Sequence, residues 1–193
     1  GAEASAVNLY RLADVQMEKL TAQGMKKLFD EVEMPLAGVL FDMEREGFRV
    51  DRAALTQLQE QFGAKIAELQ QAIYEVSGEN FNVLSPKQLG VVLFEKLGLP
   101  AGRKTKSGYS TDAEVLENLV SAHPVVPLVL QYRAFTKLKS TYVDGLLKVV
   151  GRDGRIHSHF NQTDTRTGRL SSTEPNLQNI PVRTELGSRL RAF

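Results

Sequence analysis

The sequence has no cysteine, no tryptophan and only three histidines in 193 residues. Without thiols there is neither a disulfide nor a thiolate metal site. That composition suits a reducing compartment, and we expect a cytoplasmic protein. No apolar run approaches the roughly 20 residues that cross a bilayer, and stretches such as "PVVPLVL" are far shorter. The N-terminus lacks a basic region followed by an apolar one, so no signal peptide is read there, and no membrane partner is expected. Internal repeats and low-complexity tracts are missing too. Gly1 stands where a start methionine would, which leads us to expect a piece of a longer chain.

What is present is the makeup of a globular protein, 42% hydrophobic and 24% charged, with length for one or two domains. A net charge of +1 hides an asymmetry. Residues 1–80 hold eight Lys or Arg against fourteen Asp or Glu, a net −6; residues 81–193 hold sixteen against nine, a net +7. A basic half of that size fits a polyanionic partner, and an ordinary solvated surface competes with that reading.

Most of the chain follows a helical period. Leu55, Leu58, Phe62, Ile66, Leu69, Ile73 and Val76 recur every three or four residues between Asp51, a fitting N-cap, and Gly78, a fitting left-handed stop. Such a helix is roughly 40 Å long. A second long helix opens at His123–Pro124 with the stripe Leu128, Tyr132, Phe135, Leu138, Tyr142 and Leu146. Between them "SPKQ" and "TDAE" read as starts of two short helices, capped by Ser85 and Thr111 with Gln88 and Glu114 in the capping-box position. The loop "GRKTKSGYS" lies between those, with Arg103, Lys104 and Lys106 and no acid. Upstream are two more helical segments, the second interrupted or bent at Pro35. Downstream, after a turn at Asp153–Gly154, Ile156, Ser158 and Phe160 alternate with His157 and His159 as in a strand.

The candidate sites follow from side-chain chemistry. His157 and His159 share a strand face but lack a third ligand, so no metal site is assigned. No nucleophile–histidine–acid set or phosphate-cradling glycine loop stands out, and no catalytic residue is assigned. Arg133, Lys137 and Thr141 lie on one helix face, which suits phosphate contacts or plain solvation. The stretch "TGRLSSTEPNLQNIPVR" puts Arg169, Asn176, Gln178, Asn179 and Arg183 on a segment punctuated by Gly168, Pro175 and Pro181. The minor groove offers acceptors at every base pair. Planar donors of this kind can hold a duplex without choosing its sequence; a loop tied together by its own amides is the competing reading.

"TGRLSSTEPNLQNIPVRTELGSRLRAF" resembles the early palm of bacterial family A DNA polymerases of the polymerase I type. "FNVLSPKQLGVVLFEKLGLP" is similar to that family's thumb, and "YRAFTKLKSTY" to its second long thumb helix. The resemblance implies a mainly α fold, a long antiparallel helical thumb with a small helical tip, followed by the first β-strands of an α+β palm. Its implied parts are the end of an exonuclease-like domain (1–30), the thumb and its base (31–150) and the start of the palm (151–193).

By the same resemblance, Arg169 contacts the minor groove at the primer terminus, and Asn176, Gln178, Asn179 and Arg183 lie near the primer–template junction. Asn82, Ser85, Arg133 and Lys137 touch the duplex backbone. The partner implied is primer–template DNA, bound by a monomer, with deoxynucleotides and two divalent ions (magnesium) used only by the full-length enzyme. The family's first metal-binding aspartate comes after "RLRAF", so these residues alone are expected to be inactive. Ala4 and Ala6 stand where proofreading members carry acids, so no 3′–5′ editing is expected. A non-enzymatic helical DNA-binding or scaffold protein is the rival reading.

Overall fold

The computed structural model describes residues 2–101, 104–105 and 108–180. Its elements run α1 (Ala2–Ala22), α2 (Lys26–Leu28), α3 (Met34–Glu46), β1 (Phe48–Arg49), α4 (Arg52–Ser77) and α5 (Pro86–Gly90). Then come β2 (Lys104–Thr105), β3 (Gly108–Tyr109), α6 (Ala113–Glu117), α7 (Val125–Lys137), α8 (Asp144–Val149), β4 (Arg155–Ile156), β5 (His159–Asn161) and β6 (Ser171–Thr173). Wider π turns at Phe29–Glu33, Val91–Lys96 and Leu138–Val143 continue α2, α5 and α7 without a break. Among the described residues the architecture is mainly helical with three two-stranded antiparallel sheets, β1–β4, β2–β3 and β5–β6.

Packing divides the described residues into two units, one of 1–50 with 151–179, the other of 51–150 with Ile180. The segment 31–50, placed by the sequence with the long helices, thus groups with the strands after 150. The reason is visible in its contacts. Glu44 of α3 accepts the Phe160 N–H at 2.6 Å, and Gln162 donates to the Glu33 carbonyl and carboxylate at 3.0 and 2.9 Å.

In the second unit the periodicity is realised. Asp51 caps α4 through the Ala54 N–H at 2.9 Å, and Gly78 ends it at φ +76. Leu55, Leu58, Phe62, Leu69 and Ile73 are buried along its face, whereas Val76 is exposed near the end. The partner helix runs antiparallel to it, with Phe62 edge-on to Phe135 at 5.3 Å and Gln59 donating to Asp144 at 2.6 Å. The π turn at 138–143 adds a residue to the helical repeat, so Leu138, Tyr142 and Val143 are all buried. Beyond the pair, Leu89, Leu93, Leu116, Val125, Val126 and Val129 are fully buried in the core of the tip.

The tip also departs from expectation. "GRKTKSGYS" is not only loop: β2 and β3 pair there with Lys104 opposite Tyr109. Gly108 enters β3 at φ +123, a backbone open mainly to glycine. The interruption expected at Pro35 takes the form of a π turn, since proline has no N–H for the Glu31 carbonyl and the wider turn takes Met34 N–H back to Phe29. "RIHSHF" is two strands, not one, because β4 pairs with β1 and β5 with β6.

Candidate nucleic-acid interface

The donor-rich stretch is carried by β5 and β6, paired His159 to Thr173, Phe160 to Ser172 and Asn161 to Ser171. Gly168 turns the connection at φ +72. Two buried serines hold the segment after β6. Ser158 Oγ lies 3.0 Å from the Thr173 carbonyl and 2.8 Å from that of Pro175, so its one hydrogen is shared. Ser172 Oγ accepts the Leu177 N–H at 2.9 Å. Both serines are enclosed by the fold, which makes them rivets of the loop and not ligands.

The predicted donors divide between the two uses the sequence left open. Asn176 accepts the Gln178 N–H through Oδ1 at 3.0 Å, and the Gln178 amide donates to the Leu170 carbonyl. Those bonds tie the loop to itself, although the Asn176 amide hydrogens take no part in them. Asn179 is exposed and also has a partner. Arg169 behaves differently. Its carbonyl accepts the Thr165 hydroxyl at 2.6 Å, fixing the backbone, while its exposed guanidinium makes no hydrogen bond or ion pair among the described residues. A planar cation with its donors unspent and its backbone fixed is suited to a ligand outside the protein.

On the second unit, Asn82 and Ser85 form one turn. Asn82 Oδ1 accepts the Leu84 N–H at 3.0 Å and its carbonyl accepts the Ser85 N–H at 3.0 Å. Ser85 caps α5 by accepting the Gln88 N–H at 3.4 Å. The Gln88 side chain does not complete the expected box at Ser85; it takes the Asn82 N–H at 2.8 Å instead, because Ser85 N–H is already used. As both Asn82 Oδ1 and Ser85 Oγ act as acceptors, the Asn82 amide hydrogens and the Ser85 hydroxyl hydrogen remain for an outside acceptor.

The helix-face cations are not equivalent. Lys137 is exposed, and its ammonium makes no ion pair among the described residues. Lys139 is spent on Asp144 at 2.9 Å. Burial acts to raise the Asp144 pKa, yet the Gln59 donor and Lys139 together hold it below the usual carboxylate value. Arg133 is half-buried and donates to the carbonyl and, at 3.2 Å, the hydroxyl of Thr111. Burial lowers its pKa against the opposing pull of Asp112. Thr111 is accordingly enclosed at 3% exposure and does not cap α6, whose cap residue is Asp112. Arg103, Lys106 and Arg183 lie outside the described residues, as does the side chain of Lys104 in β2.

Sequence reasoning missed Thr111, Ser158 and Glu44 as the residues that hold these surfaces. Only Ser158 left a signal, as a polar residue in the inward register of the strand alternation.

The described residues thus present a capped helical hairpin and, separately, a hydrogen-bonded loop that leaves the Arg169 guanidinium without a partner among them. The fold is similar to the POL domain of Pol1 from M. smegmatis, solved in complex with DNA primer-template and dNTP. It matches with a TM-score of 0.86 and 48% identity over 94% of this chain and 32% of that one. Residues 52–193 match the model of DNA polymerase family A, and the chain belongs to that family. It is 51% identical over 187 residues to DNA polymerase I of Bacillus subtilis, covering 96% of this chain and 21% of that protein. DNA polymerase I of Geobacillus stearothermophilus is 48% identical over 187 residues, with the same coverage. The chain therefore spans about a fifth of the length of these curated relatives.

Proposed function

We propose that this chain is the duplex-gripping part of a DNA-directed DNA polymerase, acting in the replication and repair of DNA as a soluble, monomeric, cytoplasmic enzyme. Residues 51–150 serve as its thumb and the strands after 150 as the start of its palm, with the N-terminal residues closing an exonuclease-like domain. The observation that carries this reading is the Arg169 guanidinium, exposed and without a partner among the described residues, on a loop fixed by hydrogen bonds at Thr165, Ser172 and Asn176. It meets the groove edge at the primer terminus, with Asn176, Gln178, Asn179 and Arg183 near the junction. On the thumb, Lys137, Asn82, Ser85 and the basic tip residues Arg103, Lys104 and Lys106 meet phosphates. Arg133 contributes by holding the tip, since its donors face Thr111. A purely scaffolding DNA-binding protein explains the basic half but not a fixed loop that leaves the Arg169 guanidinium without a partner among the described residues.

The family's use of divalent ions supplies Lewis-acid stabilisation of the attacking and leaving oxygens. Among the described residues no group of His, Asp and Glu could hold such an ion. The described residues do not by themselves fit magnesium, and no step is routed through it. What these residues do is hold and align the primer end.

The test uses the full-length enzyme carrying this chain. Losing a charge-assisted hydrogen bond costs roughly 1.5–3 kcal/mol, or about one to two orders of magnitude in rate. Arg169→Ala should slow single-turnover incorporation by that factor while weakening DNA binding much less, and Arg169→Lys should recover only part of it. Wild-type rates with alanine, or a loss confined to binding, would sink this reading.

A further inference from the structure

The two histidines of "RIHSHF" are not alike. His157 has both ring nitrogens against oxygen: Nδ1 is 2.8 Å from the Glu44 carbonyl near the end of α3, and Nε2 is 3.0 Å from Asp153 Oδ2. A backbone carbonyl can only accept, and so can an ionised carboxylate. Both nitrogens must therefore donate, and a ring with two N–H groups is the imidazolium. Its seat is cut for it. Gly47, at φ +63, would bring a Cβ to 2.8 Å from His157 Nδ1 and from the Ile156 carbonyl, so any larger residue would displace the ring.

Asp153 is the charge that favours the cation at His157. Asp153 faces Nε2, and the Glu44 carboxylate lies beside His159 at 3.5 Å while accepting the Phe160 N–H. Arg155 opposes it, but is drawn aside by the Glu46 and Gly47 carbonyls and by the Glu46 carboxylate at 3.2 Å. The next residue is Ser158, which fixes the Thr173 and Pro175 carbonyls. One tie thus leads from α3, through the ring, to the rivet of the Arg169 loop.

We propose that His157, held as an imidazolium between Asp153 and the Glu44 carbonyl, is a positioning residue that sets β4, β5 and the Arg169 loop against α3. The consequence for nucleotide incorporation rests on the polymerase function proposed for this chain; the clasp itself does not. The Asp153 hydrogen bond first, then the Glu44 carbonyl, raises the His157 pKa above its ordinary 6.5. The His157 hydrogen bond is the main cause that lowers Asp153 below 3.8. The clasp is therefore complete below about 6.5 and is lost as pH rises through the raised histidine value. On the acid side it fails as Asp153 takes a proton at its lowered value.

With three histidines in the chain, ¹⁵N-histidine NMR resolves the ring directly. His157 should keep both ring protons past the pH at which an unpaired histidine has lost one, and Asp153→Asn should move its midpoint down. A midpoint at or below the ordinary histidine value, or one indifferent to Asp153→Asn, overturns the clasp. In the full-length enzyme, incorporation should fall roughly tenfold, the scale of one lost charge-assisted hydrogen bond, as pH rises through that midpoint. His157→Gln should be slow and flat across the same range, and Asp153→Asn, which keeps the ring, should shift the fall to lower pH. A raised midpoint with no matching change in rate overturns the positioning role. A wild-type enzyme that incorporates nothing sinks the polymerase reading instead, and NMR still decides the clasp.

Discussion

The two units are held by different forces. Among the described residues, 22 buried apolar side chains lie in the unit of the long helices, and only Leu40 and Ile156 in the other. Exposed large apolar residues run the opposite way, from Val7 and Tyr10 on α1 to Val39, Phe41 and Met43 on α3. The helical unit is an apolar core with polar trim. The unit of strands is a set of polar ties, Glu44 to Phe160, Gln162 to Glu33, Ser158 to the loop, around very little core. Burial is non-directional and tolerant, whereas hydrogen bonds fix geometry. Under the function proposed above, a grip that tracks a flexible backbone is served by the first, and a loop that presents one guanidinium at one place by the second.

The largest expected effect tests that contrast head-on. Leu93 is fully enclosed in the tip core, and Leu93→Ala should destabilise the helical unit by about 2–5 kcal/mol. Phe41, a larger side chain at 62% exposure on α3, should cost less than about 0.5 kcal/mol when cut to alanine. Denaturant midpoints of the two variants measure both. A Phe41→Ala cost equal to that of Leu93→Ala would mean that the strand unit has an apolar core after all.

Next comes the polar tie that the helical unit does use. Arg133→Ala leaves the enclosed Thr111 hydroxyl and carbonyl without their donor, at about 1.5–3 kcal/mol for a charged hydrogen bond. The same change also separates positioning from phosphate contact. Thr111→Val keeps the charge of Arg133 but removes one of its acceptors. If Arg133 acts through the tip, Thr111→Val weakens duplex binding as well; if it touches phosphate directly, only Arg133→Ala does so. In the second case the slope of log K against log salt should drop by about 0.9.

This division of labour also explains what could be read from the sequence. The stripes of α4 and of the α7–α8 helix were legible, with Asp51 and Gly78 at the ends, because burial leaves a period. The strands β1 and β2 left none, being two residues each. Arg133 and Thr111 are 22 positions apart, and Glu44 and Phe160 are 116. No local pattern announces such pairs. The loop donors were visible as a composition, but not which of them would be spent inside. That the Gln178 amide is spent on the Leu170 carbonyl while the Arg169 guanidinium finds no partner among the described residues depends on a carbonyl placed by the fold.

A smaller loss is expected at Ser158. Alanine there removes the one hydrogen shared by the Thr173 and Pro175 carbonyls, at about 1–2 kcal/mol. Global stability of the chain should hardly register it, because the helical unit does not depend on it. Protection of the Leu177 and Gln178 amides from hydrogen exchange should fall, and that of the α4 amides should not. Equal loss in both would show that the units are less separate than their packing indicates.

The smallest effect concerns a helix end. Asp51 accepts the Ala54 N–H at the start of α4, and a lost cap typically costs about 1 kcal/mol. Asp51→Asn keeps an acceptor oxygen in the same place and should stay within a few tenths of the wild type. The carboxylate also sits at the positive end of the helix dipole, so the asparagine should lose slightly more at low salt than at high salt. Because α4 is a 26-residue helix with five buried apolar side chains, burial outweighs its cap several-fold. Denaturant midpoints for the alanine and asparagine variants beside Leu93→Ala put the two contributions on one scale. An Asp51→Ala cost as large as that of Leu93→Ala would mean that α4 is held by its end and not by its face.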